Sequence, residues 1–385
     1  MSYLSQLLNL SSKASKKIGE ISDSLSNKRS TSESETLSDR EFLVDAYRKL
    51  LGREADEDGL KHYIKLLQTG YSRTDILMSL VQSDEFINKV LKDNIRIQNL
   101  RELRPERYYA VEDLLQPNNA LVFSVETSDD FDWLEAMILK HGYYEKPGVW
   151  GFRIDKDKKV MAEIMSAFQP KRALEIGCAN GTILQCLHEM NIHCEGIEIS
   201  SMAIDKAFPD IKNNIHHGDL LELELSEKYD LIFGLDIFEH LNPNKLHDYL
   251  DRIDRILVDG GYLFGNIPAF GEDPIFGTVF PIYIKEWEQD IAEEKPFNLL
   301  HVDKDGYPIN GHLIWADWHW WVKQFEQHGF HREVEVEKVL HKKYDAYMEK
   351  TSIARKSYFV FSKRGEQQKT VAIAERISSR SSKVL

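Results

Sequence analysis

Apolar positions change their spacing twice along this chain, and each change marks a change of architecture. Up to residue 37 no period is visible: Ser, Lys and Glu dominate and the stretch ends in SNKRSTSESETLSD. Such a composition buries too little apolar surface to offset its ordering entropy, so residues 1–37 are expected to be disordered. From 38 to 95 the spacing is helical. Ser38 and Glu41 form a capping-box pair ahead of Phe42, Ala46, Tyr47, Leu50 and Leu51. Gly52 and the polar run 55–59 punctuate. A second helix follows with Leu60, Tyr63, Ile64 and Leu67, closed by Gly70, and a third starts at Ser72 and Asp75 ahead of Ile76, Leu77, Leu80 and Val81.

From residue 172 onward strand-like and helix-like runs alternate, which predicts a doubly wound α/β sheet over 166–364, preceded by the small all-α domain. Arg172–Ile176 reads as a short strand. It runs into Gly177 and Gly181, then into a helix carrying Ile183, Leu184, Leu187 and Met190. His193–Ile199 is the next strand. Asp317–His328 reads as a helix with Trp318, Trp321, Val322 and Phe325 on its core face, and HREVEVEKVL and SYFVFSKR read as the last strands. Residues 365–385 look polar and loosely held. Between the two domains, 96–165 is a connecting or cap region. It holds a capped helix start at Asp129–Glu135 and an aromatic turn at Tyr143–Gly151, which packs between domains or covers a site, packing being favoured. The aromatic, Pro/Gly-punctuated segment 269–311 is too long for a plain connection and predicts a substrate lid.

Charge and cysteine content narrow the function. The 385 residues carry a formal net charge of −14 with no long basic stretch, which disfavours a nucleic-acid partner. The three cysteines, Cys178, Cys186 and Cys194, form no Cys-x-x-Cys pair and suit free thiols in a reducing compartment. No apolar run approaches the ~20 residues that span a bilayer, and the N-terminus lacks the order of a signal peptide. A soluble, cytoplasmic protein is expected. Glu54-Ala55-Asp56-Glu57-Asp58-Gly59 imitates the start of a calcium loop, but its twelfth position is Lys65, where a carboxylate is needed.

The glycine turn after the first strand of the sheet carries the chemistry. It lets backbone approach a ligand and aims unpaired N–H groups at an anionic moiety. Glu198 closes the next strand, where a carboxylate meets a ribose diol in nucleotide-type sites. A dinucleotide fingerprint needs glycine at the first, third and sixth positions. Counted from Gly177 these are Gly177, Ala179 and Thr182, so it fails twice.

These residues, in order, resemble class I S-adenosylmethionine-dependent methyltransferases. ALEIGCANG is similar to the family's first motif, GIEIS to the acid of the second strand and HHGDL to the adenine-contact turn. YDLIFGLDIFEHL is similar to the fourth strand and GGYLFGNIP to the fifth. The resemblance implies a seven-stranded Rossmann-like sheet and S-adenosylmethionine as cofactor. It places Glu175, Gly177, Cys178, Ala179 and Gly181 at the methionine end, Glu198 and Ile199 at the ribose, Asp219 and Leu220 at the adenine, and Asp236, Ile237 and Phe238 along the cofactor. The segment 47–86 resembles a bacterial helical module of unknown function related to phycobilisome linkers, often attached to enzymes of surface-glycan pathways. A protein partner for that module is an expectation on the same ground.

Methyl transfer to a hydroxyl needs a base beside the methyl group. His240, just past the fourth strand, and His312, ahead of the helix at 317, are the candidates; the bland alternative for each is a hydrogen-bonded structural histidine. Glu239 and His240 are adjacent, but with no clear third ligand no metal is expected. An exposed Trp287 or Trp315 would suit stacking on a saccharide. The expected activity is methylation of a small-molecule or glycan acceptor, first at a hydroxyl. The alternatives are nitrogen or carbon methylation, or an inactive scaffold recruited by the helical module.

Overall fold

The computed structural model describes residues 38–51, 53–81, 83, 85, 104–117, 119–145, 151–225, 227–303, 305–364, 367–379 and 382. The disorder expected for 1–37, and much of the aromatic turn at 146–150, lie outside them. The chain divides into two compact units, Met1–Gln98 and Asn99–Leu385.

In the first unit, α1 (Asp39–Ala46) passes into a wider turn at Tyr47–Leu51 and is followed by α2 (Glu57–Gln68) and α3 (Arg73–Val81). Ser38 and Glu41 cap α1 reciprocally, as their spacing requires. Asp56 caps α2 by accepting from Gly59 N at 2.7 Å, which accounts for the acidic run without calcium. Phe42, Leu43, Leu50, Leu60, Ile76 and Leu80 form its core.

The second unit is built on seven strands. These are β3 (Ala173–Ile176), β4 (Cys194–Glu198), β5 (Ile215–His217), β6 (Tyr229–Leu235), β7 (Leu257–Asn266), β9 (Phe330–Arg332) and β10 (Tyr358–Lys363). Their order is β9-β10-β7-β6-β3-β4-β5, parallel except that β10 runs antiparallel to both its neighbours. Successive strand residues serve opposite faces. Leu231, Phe233, Tyr262, Phe264, Tyr358 and Val360 join one core with α5 (Lys156–Ala167) and α6 (Thr182–Glu189). Ile232, Leu263, Phe359 and Phe361 join the other with α8 (Leu246–Ile256) and α10 (Trp318–Gln327). Strand order reverses between β3 and β6, which places a crevice at their carboxyl ends.

A cap covers part of this unit. In it β1 (Tyr108–Val111), β2 (Ala120–Ser124) and β8 (Leu299–His301) form an antiparallel sheet, with α4 (Ser128–Lys140) and α9 (Trp287–Ala292) packed into the same core. The insertion after β7 therefore pairs with the region 104–145 and is not a free-standing flap.

Three expectations need correction. The run HREVEVEKVL is a strand only over Phe330–Arg332; from Val334 to Thr351 it is a helix, α11. Val334 and Val336 alternate locally, but Val336, Leu340, Tyr344 and Met348 repeat every fourth residue and all are buried, so the longer period wins. The tail is not loose: α12 (Gln367–Ser379) buries Ile373 and Ile377 in the core that holds α5, and Arg376 Nε donates to Ala167 O at 3.1 Å. Trp287 is 0% and Trp315 5% exposed, stacked among Phe270 and Phe297, so neither offers a face to a sugar. Among the described residues no helix is long and apolar enough to cross a membrane.

Candidate active site

At the end of β3 the chain turns sharply. Gly177 has φ 71° and Gly181 φ 74°, the latter capping α6, and Ala179 between them has φ 49°. A Cβ on Gly177 would stand 2.8 Å from the Ile237 side chain across the crevice, so only glycine lets these two segments approach. Gly177 N and Cys178 N are taken by Ile197 O at 2.9 and 3.0 Å, fixing the loop to β4. The Cys178 side chain points into the core, beneath Gly196, so only its backbone borders the crevice. Burial pushes its thiol well up, which leaves it inert.

Two carboxylates stand at the strand ends. Glu175 is buried, its Oε2 has no hydrogen-bond partner among the described residues, and burial followed by Glu198 raises its carboxyl well above the usual range. Glu198 is buried too; it accepts from Ala179 N and Ser200 N, both at 2.8 Å, and burial raises it against those bonds. Ile199 beside it is exposed, whereas Leu220 is buried in the core. Asp219 accepts from Leu221 N at 2.8 Å and from the Tyr249 hydroxyl at 2.5 Å. Asp236, at φ 55°, receives Arg355 Nη1 at 2.6 Å. Arg355 also reaches Asn266 Oδ1 at 2.6 Å and Asp157 Oδ2 at 3.0 Å, a network that sequence reasoning missed. Phe238 is 1% exposed and packed edge-on to Phe325, so its side chain belongs to the core.

Past Asp236 a single 3-10 turn, Phe238–His240, carries Glu239 and His240. The Glu239 carbonyl accepts from Leu313 N at 2.8 Å and Ile314 N at 2.9 Å, which docks the end of the insertion on this turn. His312 is thereby brought in: its ring lies 4.8 Å from that of His240, and its Nε2 is 3.8 Å from Glu239 Oε1. Glu239 is 0% exposed with neither oxygen hydrogen-bonded among the described residues. Burial and Asp236 push its carboxyl well up. Burial pushes the His240 imidazole down to about 4, and burial with His240 drives His312 well down too. His240 Nδ1 lies 3.2 Å from both Gly311 O and the Tyr144 hydroxyl. Tyr144 belongs to the turn Tyr143–Glu145, whose Glu145 carboxylate caps α7 (Ser201–Asp205) at Ser201 N and Met202 N, 3.0 and 3.1 Å away. Glu239, His240 and His312 thus form one cluster, with ligand atoms within 4.8 Å of one another. His312, which the sequence did not show beside Glu239 and His240, completes this candidate three-ligand group.

A strand-order reversal with acids at consecutive strand ends and a glycine turn between them defines a nucleotide-type binding crevice. Residues 152–344 match the methyltransferase domain family, half of the chain, and the protein belongs to it; its cofactor is S-adenosylmethionine. Residues 22–90 match a domain of unknown function (DUF4214), which lends no support to a phycobilisome-linker kinship. The chain is 30% identical over 98 residues to nodulation protein S of Azorhizobium caulinodans, covering 24% of this chain and 47% of that protein. It thus spans about half the length of the curated relative it matches. Among solved structures it is similar to the N-methyltransferase NodS from Bradyrhizobium japonicum WM9. That likeness has 23% identity and TM-score 0.25, covering 29% of this chain and 61% of that one. It is also similar to the amino pentose methyltransferase CalS10 from Micromonospora echinaspora, at 18% identity and TM-score 0.26, covering 34% and 56%.

Proposed function

We propose that the protein methylates a hydroxyl of a small-molecule acceptor that lies between the crevice and the cap, with Glu239, His240 and His312 activating the acceptor oxygen. The observation that carries this reading is the cluster itself, a buried Glu239 with two half-buried histidines, which follows Asp236 within four residues and is completed by His312 at the end of the cap insertion. Buried polar groups left without partners in a crevice are rare in cores and mark sites of chemistry.

The crevice residues fit the cofactor. Glu175, with a free Oε2, faces the ammonium of the methionine end, and the backbone of Gly177, Cys178, Ala179 and Gly181 borders the same moiety. Each Glu198 oxygen already takes one backbone N–H and keeps a second lone pair for a ribose hydroxyl, beside Ile199. Asp219 and Leu220 flank the adenine, and Asp236 and Ile237 the middle of the ligand, with Arg355 holding Asp236 in place. When bound, the cofactor supplies a methyl group on a positively charged sulfur, placed for in-line displacement.

Both histidines are held neutral by burial, so each has a lone pair for an acceptor that must lose a proton. The same property suits a protonated amine, the second reading. A glycan hydroxyl is the acceptor class suggested by the company of the N-terminal module, whose linker kinship rests on resemblance alone.

Labelled methyl transfer to extracted glycans, lipids and metabolites tests the reading, with His240→Ala alongside. The variant should keep its S-adenosylmethionine affinity in calorimetry and lose on the order of 100-fold in turnover. Full turnover in His240→Ala would remove the cluster from the reaction.

A further inference from the structure

We propose that Glu239, His240 and His312 hold one divalent transition-metal cation on the acceptor side of the crevice. Two imidazoles and one carboxylate converge there, each with a ligand atom within 4.8 Å of the other two. Glu239 is fully buried and both its oxygens lack a hydrogen-bond partner among the described residues. The nearest basic atom recorded for it, His312 Nε2 at 3.8 Å, is too far for a hydrogen bond. A buried carboxylate in that condition is costly unless it takes up a proton or a cation sits against it, and only the cation also uses the two imidazoles beside it.

The orientation of His240 points the same way. Gly311 O, a pure acceptor, stands 3.2 Å from His240 Nδ1, so Nδ1 carries the ring hydrogen and Nε2 is left with the lone pair. A backbone carbonyl fixing one ring nitrogen while the other faces a ligand is how metal-bound histidines are held. The third ligand is positioned as firmly. His312 follows Asn310 and Gly311, which take φ 58° and 79°, and the next two residues are bonded through their N–H groups to the Glu239 carbonyl. The three side chains are therefore set by backbone contacts, not by one another.

The donor set selects the class of cation. Two nitrogens and one carboxylate suit zinc, manganese, iron or cobalt and not calcium or magnesium, which take oxygen ligands. Three protein ligands leave a position open for the acceptor. A hydroxyl that binds there releases its proton to water more readily, because the cation stabilises the resulting oxygen anion. This role rests on the reading of the cluster as the acceptor-activating site; the binding of the cation does not.

The test uses the full chain, stripped with a chelator and titrated with Co²⁺ and Zn²⁺. We expect one equivalent of metal by elemental analysis and a visible Co²⁺ absorption band that Zn²⁺ displaces. Both should be lost in Glu239→Gln and in His312→Asn, while calorimetry shows unchanged S-adenosylmethionine affinity, which reports an intact fold. No stoichiometric metal in the native chain, or an unchanged cobalt band in both folded variants, overturns the proposal. If metal binds as expected but its removal leaves methyl transfer unaltered, the cation site stands and its role in activating the acceptor fails, while His240→Ala still decides whether the side chains themselves act. If no metal binds yet His240→Ala is inactive, the site proposal fails and the acceptor-activating reading survives.

Discussion

Gly177 sits where three demands meet: a φ of 71°, a hydrogen bond to β4, and an Ile237 side chain that would lie 2.8 Å from any Cβ. Gly177→Ala should cost about 2 kcal/mol of stability, from left-handed strain and overpacking together. It should also weaken S-adenosylmethionine, measured by denaturant unfolding and calorimetry on the same preparation. Residues of this kind are legible in sequence because the turn and its strand are contiguous. Ala179 shows the limit of that legibility: its place in the turn reads from the sequence, but not that it occupies φ 49°, a region alanine enters at a cost. Arg355 shows a different limit. It meets Asp236 across 119 positions, and no local pattern announces such a pair. His312 was visible as a histidine but not as a neighbour of Glu239, since only the folding of the insertion brings them together.

At the level of elements, β4 carries a polar hub as well as a cofactor acid. Glu195 accepts from Arg172 at 2.5 Å, His216 at 2.8 Å, Tyr229 at 3.0 Å and His193 at 3.3 Å. Burial opposes its ionisation, but these partners outweigh burial and hold the carboxyl at about 2. Its folded value lies below its ordinary one of 4.5, so its contribution is complete above pH 4.5 and fades as the pH falls toward 2. Glu195→Gln should lower stability at pH 7 by on the order of 1 kcal/mol after solvent screening. It should also flatten the pH dependence of unfolding in that acid window. The alternation from β3 to β7 was readable because parallel strands buried on both faces are continuous apolar runs. The regions after β9 and β10 were misread for a definite reason: α11 opens on two alternating valines, and α12 shows few apolar residues. Ile373→Ala should cost about 2–5 kcal/mol in urea unfolding, as for other fully buried isoleucines, and an effect near zero would return α12 to a loose tail.

For the whole molecule, every residue placed in the crevice and the cluster belongs to the unit Asn99–Leu385. Residues 99–385 expressed alone should bind S-adenosylmethionine with the affinity of the full chain; a tenfold loss in calorimetry would show that the first unit contributes to the site. The division into helical and α/β parts was legible from periodicity, and a cap region at 96–165 and a lid at 269–311 were expected, but the sheet that joins them was not. That sheet joins β1 and β2 to β8 across more than half of the unit, and long-range pairing of short strands leaves little trace in sequence. Among the contacts that tie the cap insertion to the catalytic sheet are those from the N–H groups of Leu313 and Ile314 to the carbonyl of Glu239. Both bonds are main chain to main chain, so they are indifferent to the side chains at 313 and 314. On the proposed reading of the site, loops of new composition grafted into the exposed part of the insertion should change what is methylated, while this main-chain seam and the buried Leu313 and Ile314 stay intact.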